Sequence, residues 1–189
     1  MLNSSFLNAI EEYPIIAGIK DHKGLEQVIQ SECNIVFVLY GNILNIGEIV
    51  QRIKNHGKLA FIHVDLLDGS SHSEVVISFL KKHTTADGII STKAPMIKAA
   101  KSHGFYTIHR FFLIDSMTFH NIDKQIAVSN PDCIEILPGC MPKVIGWVMQ
   151  KVNLPLIAGG LVCEKEDVVA ALKAGANAIS STNPEVWSL

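Results

Sequence analysis

Leu154-Pro155-Leu156-Ile157-Ala158-Gly159-Gly160 and, one helical stretch later, Ala174-Gly175-Ala176-Asn177-Ala178-Ile179-Ser180-Ser181-Thr182 decide the fold. Each reads as a short buried strand that ends in residues with little or no side chain. Strand ends of that kind expose backbone N–H groups, and two of them side by side form a cradle for a phosphate. A (β/α)8 barrel places a phosphate there, on the loops after its seventh and eighth strands. Gly159, Gly160, Ser180, Ser181 and Thr182 are therefore candidate phosphate ligands. Read singly, the glycines could serve a tight turn and the hydroxyls could cap a helix.

Working outward, six further apolar runs precede these two. Strands are predicted over 14–19, 35–39, 58–64, 88–91, 107–113, 133–137, 156–158 and 178–180. They are rich in Ile, Val, Leu and Phe with little strict alternation, as suits parallel strands buried on both faces. Amphipathic stretches lie between them, such as 94–103 and 166–174, and Gly57, Gly104 and Gly175 stand where left-handed helix caps are wanted. Eight βα units in 189 residues make a compact single domain with a truncated final unit. The structural alternative is a doubly wound open sheet.

Polar residues gather where the predicted strands stop. Lys20 and Asp21 follow strand 1, Asp65 follows strand 3 and Lys93 follows strand 4. Arg110 lies in strand 5, Glu135 in strand 6, and Gly139 follows strand 6. This set is expected to form a polar floor that recognises a ligand's hydroxyls or charge. Simpler roles compete: Asp21 and Asp115 suit helix N-caps, Lys93 suits a solvated charge, and Arg110 and Glu135 suit a buried ion pair between neighbouring strands. His63 and Asp65 have strand alternation and could join Glu135 around a metal, but hydrogen-bond networks more often bury such residues. His109 is expected to face outward against a helix.

The chain is 48% hydrophobic and 18% charged, with a formal net charge of −2. That composition is globular and argues against a surface coated in positive charge for nucleic acid. No apolar run is long enough for a membrane span, and residues 1–12 lack the pattern of a secretory signal. Cys33, Cys133, Cys140 and Cys163 show neither CxxC nor zinc spacing, so reduced thiols in a cytoplasmic protein are expected. Nothing calls for a metal or an organic cofactor.

Several segments together resemble the bacterial glycerol uptake operon antiterminator regulatory protein family. They are Ile19-Lys20-Asp21, His63-Val64-Asp65-Leu66, Ala86-Asp87-Gly88-Ile89-Ile90-Ser91-Thr92-Lys93, Arg110-Phe111-Phe112-Leu113-Ile114-Asp115-Ser116, Glu135-Ile136-Leu137-Pro138-Gly139 and Ala158-Gly159-Gly160-Leu161. The resemblance implies a barrel-shaped regulator of glycerol catabolism that responds to glycerol 3-phosphate and acts on leader mRNA to prevent termination. The chain departs from the expected pattern at Asn42, where Asp is expected, and at Ser70-Ser71-His72-Ser73, which is less acidic.

Glycerol 3-phosphate suits the candidate residues, with a dianionic head for the last two loops and hydroxyls for Lys20, Asp65, Arg110 or Glu135. An aldolase, isomerase or prenyl-transfer enzyme on a phosphorylated metabolite is the rival reading, with Lys20 or Lys93 as Schiff-base former and Asp21 or Asp65 as acid/base. A protein-binding scaffold is a third. For RNA, the candidate contacts are Lys54, Lys58, Lys81, Lys82 and Lys101, near the ends of the second, third and fourth helices. Lysines also favour helix C-termini for dipole reasons. No interleaved basic–aromatic motif is visible in the sequence. Trp147 and Trp187 suit a core edge or a homo-oligomer interface equally.

Overall fold

Eight parallel strands close on themselves in sequence order. They are β1 (Ile15–Ile19), β2 (Ile35–Val38), β3 (Leu59–His63), β4 (Gly88–Ser91), β5 (Tyr106–Phe112), β6 (Cys133–Leu137), β7 (Leu156–Gly159) and β8 (Ala178–Ser181). The last strand pairs with the first, Ile16 opposite Ser180. The computed structural model describes residues 4–71 and 73–189; residues 1–3 and His72, part of two stretches considered above, lie outside it. The expected (β/α)8 barrel is therefore the fold, and the predicted strands agree with the observed ones to within one residue at each end.

The helices α2 (His22–Val28), α3 (Ile46–Asn55), α4 (Val75–His83), α5 (Ala94–Ser102), α6 (Ser116–Ser129), α7 (Pro142–Met149) and α8 (Lys165–Lys173) connect successive strands. After β8 there is only a 3-10 turn, Val186–Ser188, whose Trp187 is buried and donates its indole N–H to the Ser181 carbonyl. Gly57, Gly104 and Gly175 have φ of +74°, +74° and +108°, the left-handed conformation their positions require.

One element has no counterpart in the sequence reading. Helix α1 (Ser4–Glu12) precedes β1, and its Phe6, Ala9 and Ile10 pack against lumenal residues that include Phe37, Phe61, Ile108 and Ile157. Phe6 stands 4.9 Å from the Phe61 ring and 5.5 Å from the Tyr106 ring. The helix thus plugs the N-terminal mouth of the barrel with apolar surface. A larger apolar shell lies between strands and outer helices. Along each strand, lumenal and outward residues alternate. Two residues above the apolar lumenal layer come His63, Arg110, Glu135, Gly159 and Ser180. The C-terminal mouth is polar while the other end is greasy and sealed.

Candidate functional site

Arg110 and Glu135 sit opposite each other in the β5–β6 register, both facing the lumen. Glu135 is wholly buried. It accepts a hydrogen bond from Arg110 Nε at 2.5 Å on one carboxylate oxygen and from the Ser180 hydroxyl at 2.6 Å on the other. This is the ion pair expected between neighbouring strands. Its geometry leaves the two terminal guanidinium nitrogens without an acceptor among the described residues. Gly159 is glycine because a Cβ there would collide with Ser180 Oγ and Glu135 Oε1.

Above this pair opens a cavity of about 260 Å³. Its walls are Arg110, Glu135, the loop after β7 (Gly160 to Cys163) and the loop after β8 (Ser180 to Asn183), with Gly18, Phe37, Leu39 and Leu137 as the apolar side. The two loops are tied together. Ser181 Oγ donates to the Val162 carbonyl at 2.7 Å, and Asn183 donates through its side-chain amide to the Cys163 carbonyl at 3.0 Å. Gly160 and Leu161 are consecutive left-handed residues, with φ of +74° and +56°. A leucine in that conformation costs free energy, so the surrounding contacts must hold it there. The main-chain N–H groups of Leu161 and Thr182 have no acceptor among the described residues. Backbone donors, the Thr182 hydroxyl and a half-free guanidinium thus converge on one space with the chemistry an anion needs.

Of the candidate phosphate ligands, Gly160, Ser180, Ser181 and Thr182 line this cavity, and Gly159 lies behind it against Glu135. Of the polar floor, only Arg110 and Glu135 line it. Asp21 caps α2, accepting from the Gly24 N–H at 2.7 Å, while Lys20 is exposed beside it. Asp115 likewise caps α6 through the Thr118 N–H. Lys93 is the residue before α5. Gly139 packs so closely on the backbone of β7 that a Cβ would stand 2.7 Å from Gly159 N.

The strand alternation expected to continue from His63 to Asp65 stops at His63, because Val64–Leu66 forms a 3-10 turn. Asp65 reaches across to β4 and accepts from the Thr92 N–H and from the Ser91 and Thr92 hydroxyls. Burial works to raise its pKa, but these hydrogen bonds outweigh it and hold the carboxyl below its ordinary value. His63 remains in the lumen with Nδ1 buried and unpartnered. Burial, with the Arg110 charge adding to it, lowers its pKa to about 4, so the imidazole is neutral at pH 7. His109 faces outward as expected, its ring hydrogen-bonded to Ser129 on α6.

With this geometry in place, comparison with known proteins is decisive. The profile of the family described as glycerol-3-phosphate responsive antiterminator matches residues 15–187. The chain belongs to that family. It is 62% identical over 183 residues to the Escherichia coli K12 protein called uncharacterized protein YgcP, covering 97% of this chain and 96% of that one. It is similar to the glycerol uptake operon antiterminator regulatory protein of Listeria monocytogenes, with 32% identity and a TM-score of 0.89, over 93% of this chain and 95% of that one. A glycerol uptake operon antiterminator-related protein of Thermotoga maritima gives 33% identity and a TM-score of 0.81, over 92% and 96% of the two chains.

For a member of an antiterminator family, the disposition of lysines matters, and here the structure corrects the sequence reading. Lys58 does stand just past the end of α3, but its ammonium is not free for a ligand. It directly precedes β3, is only 7% exposed, and donates to the Ser31 and Cys33 carbonyls. Lys54 pairs with Asp87 at 2.7 Å and Lys101 with Asp132 at 3.1 Å, while Lys81 lies over the buried Phe105 ring. Only Lys82 of the five makes no contact of this kind with a described residue. No described helix is long and apolar enough to cross a membrane.

Proposed function

We propose that this chain is a regulator that binds glycerol 3-phosphate at the C-terminal mouth of the barrel and acts on leader mRNA as a transcription antiterminator. The observation that carries the ligand half is the cavity in which the tied β7 and β8 loops meet the free end of Arg110. The phosphate is taken by the Leu161 and Thr182 amides, the Thr182 hydroxyl and the guanidinium, while Ser180 and Ser181, whose hydroxyl protons go to Glu135 and the Val162 carbonyl, hold the walls in place. Each charge-assisted hydrogen bond contributes about 1.5–3 kcal/mol. Three or four of them, less the cost of ordering the ligand, support an affinity of order micromolar to millimolar, which suits sensing a metabolite. The RNA half rests on the family.

The same residues argue for recognition over turnover. A Schiff-base enzyme needs a lysine among the groups that meet the substrate, and neither Lys20 nor Lys93 lines the cavity. The test is titration calorimetry of glycerol 3-phosphate into the wild type and into Gly160→Asp. Aspartate tolerates left-handed backbone better than most residues, but a Cβ at Gly160 would stand 3.0 Å from Leu137 Cδ2 at a φ of +74°, so the variant adds a carboxylate beside the anion site at a cost in strain, and its fold is checked by circular dichroism alongside. Binding by the wild type and none by the variant is expected. Equal affinities would overturn the placement of the phosphate. Product formation from glycerol 3-phosphate or a triose phosphate, followed by NMR, would overturn the regulator reading.

A further inference from the structure

Contact with single-stranded RNA needs aromatic planes and cations that are free to meet nucleotides, and most of the rim lysines are engaged within the fold. One other face supplies exposed rings with cations beside them: Lys124 and Lys143 make no hydrogen bond or ion pair with a described residue, while Lys151 is tied to the Phe119 and His120 carbonyls and to Asp123. On the outside of α6 and α7 the Phe119 and Trp147 rings stand 6.1 Å apart, tilted by 55°. Lys143 Nζ lies 5.1 Å from the Trp147 ring centre and Lys151 Nζ 4.9 Å from that of Phe119. The His120 ring is 5.7 Å from Phe119. Neither helix shows this pattern alone; the fold interleaves it. Trp147 is 47% exposed, a large apolar area to leave in water. Lys81 over Phe105 differs, because that ring is buried.

Charge points the same way. Lys124 on α6, Lys143 on α7 and Lys151 just after α7 outnumber the single carboxylate of these two helices, Asp123, which pairs with Lys151, in a chain whose net charge is −2. A groove of about 370 Å³ begins at the Lys151–Asp123 pair and is lined further along by Asn130 and Asn153. Asparagine amides can hydrogen-bond base edges.

We propose that the α6–α7 face is the contact surface for single-stranded RNA, with a base stacked on Trp147, phosphates met by Lys143 and Lys124, and a second base edge in the groove. The proposal rests on the RNA half of the function above. It also gives a physical route between the two sites. Helix α6 follows β5, which carries Arg110, and α7 follows β6, which carries Glu135. A ligand that repositions this ion pair acts on the two strands that lead into the RNA-facing helices.

The test is fluorescence anisotropy of a dye-labelled, mixed-sequence single strand of about twenty nucleotides, long enough to span one such site, titrated with the intact protein at low salt. Trp147→Ala and Lys143→Glu are each expected to weaken RNA binding about tenfold or more, as loss of a base-stacking ring does elsewhere. Trp147→Phe should retain most of the affinity while losing the quenching of tryptophan emission by RNA. Calorimetric affinity for glycerol 3-phosphate should be unchanged in all three. Variants that bind RNA like the wild type would overturn the assignment of this face while leaving the function intact. Failure of the wild type to bind RNA would overturn both. A changed sedimentation coefficient with unchanged RNA affinity would make the face a contact between copies of the chain and overturn the proposal.

Discussion

Replacing Glu135 by glutamine isolates the charge of the ion pair from its hydrogen bonds. The glutamine carbonyl can still accept from Arg110 Nε, and its amide can donate to Ser180, whose hydroxyl then turns to accept. What disappears is the counter-charge of a guanidinium that is only 8% exposed. Removing one partner of a buried pair costs about 3–5 kcal/mol. Two features lower that figure here: the free end of Arg110 faces the open mouth, and no buried carboxylate remains to be desolvated. A loss of about 2–3 kcal/mol in urea unfolding is expected for the ligand-free protein. With glycerol 3-phosphate bound, the dianion takes over as counter-charge and part of the loss is recovered. By linkage, Glu135→Gln must then bind the ligand more tightly, by roughly tenfold if about 1.4 kcal/mol is recovered. Urea titrations with and without ligand, together with calorimetry, read both quantities. A variant within about 0.5 kcal/mol of the wild type, or one that binds the ligand more weakly, would refute the reasoning, given the usual range of surface substitutions.

Other outcomes follow from the same structure. His63 is held neutral, with a pKa of about 4 against an ordinary 6.5. The unfolded chain therefore binds the extra proton between these values, and stability falls as pH drops from 6.5 to 4, by up to about 3 kcal/mol from this group. His63→Gln should flatten that segment of the stability–pH curve measured by urea unfolding; an unaltered slope would contradict it. Phe6→Ala, which empties the centre of the apolar plug, should cost about 3–5 kcal/mol. Its unfolding midpoint in urea should drop while calorimetric affinity for glycerol 3-phosphate, measured well below that midpoint, stays as it was.

Much of the barrel was legible because parallel strands buried on both faces leave continuous apolar runs, such as Ile134–Leu137 interrupted only by Glu135. Arg110 and Glu135 were legible for the complementary reason, since a charge inside such a run must find a partner. Helix α1 was not. Its apolar face packs on the lumen, and nothing local to residues 4–12 says what lies beneath it. Asp21 and Asp115 could not be separated from a binding role, because a carboxylate at a strand end reads the same whether it caps the next helix or meets a ligand. The open conformation of Leu161 was equally hidden, since only the adjacent Gly160 advertises a left-handed turn. The burial of Lys58 was hidden because its ammonium finds the Ser31 and Cys33 carbonyls on the segment leading into the neighbouring strand β2, which the chain order of residue 58 does not reveal. The aromatic–lysine cluster of α6 and α7 escaped for the same reason: Phe119 and Lys151 lie 32 positions apart in the chain.

The central claim is that backbone amides of the last two strand–helix loops hold a dianion above Arg110. Amide chemical-shift mapping of the ¹⁵N-labelled protein during titration with glycerol 3-phosphate tests it directly. The largest shifts are expected at Leu161, Val162 and Thr182, together with the Arg110 side chain. Shifts centred on any other part of the barrel, or none at millimolar ligand, would contradict it.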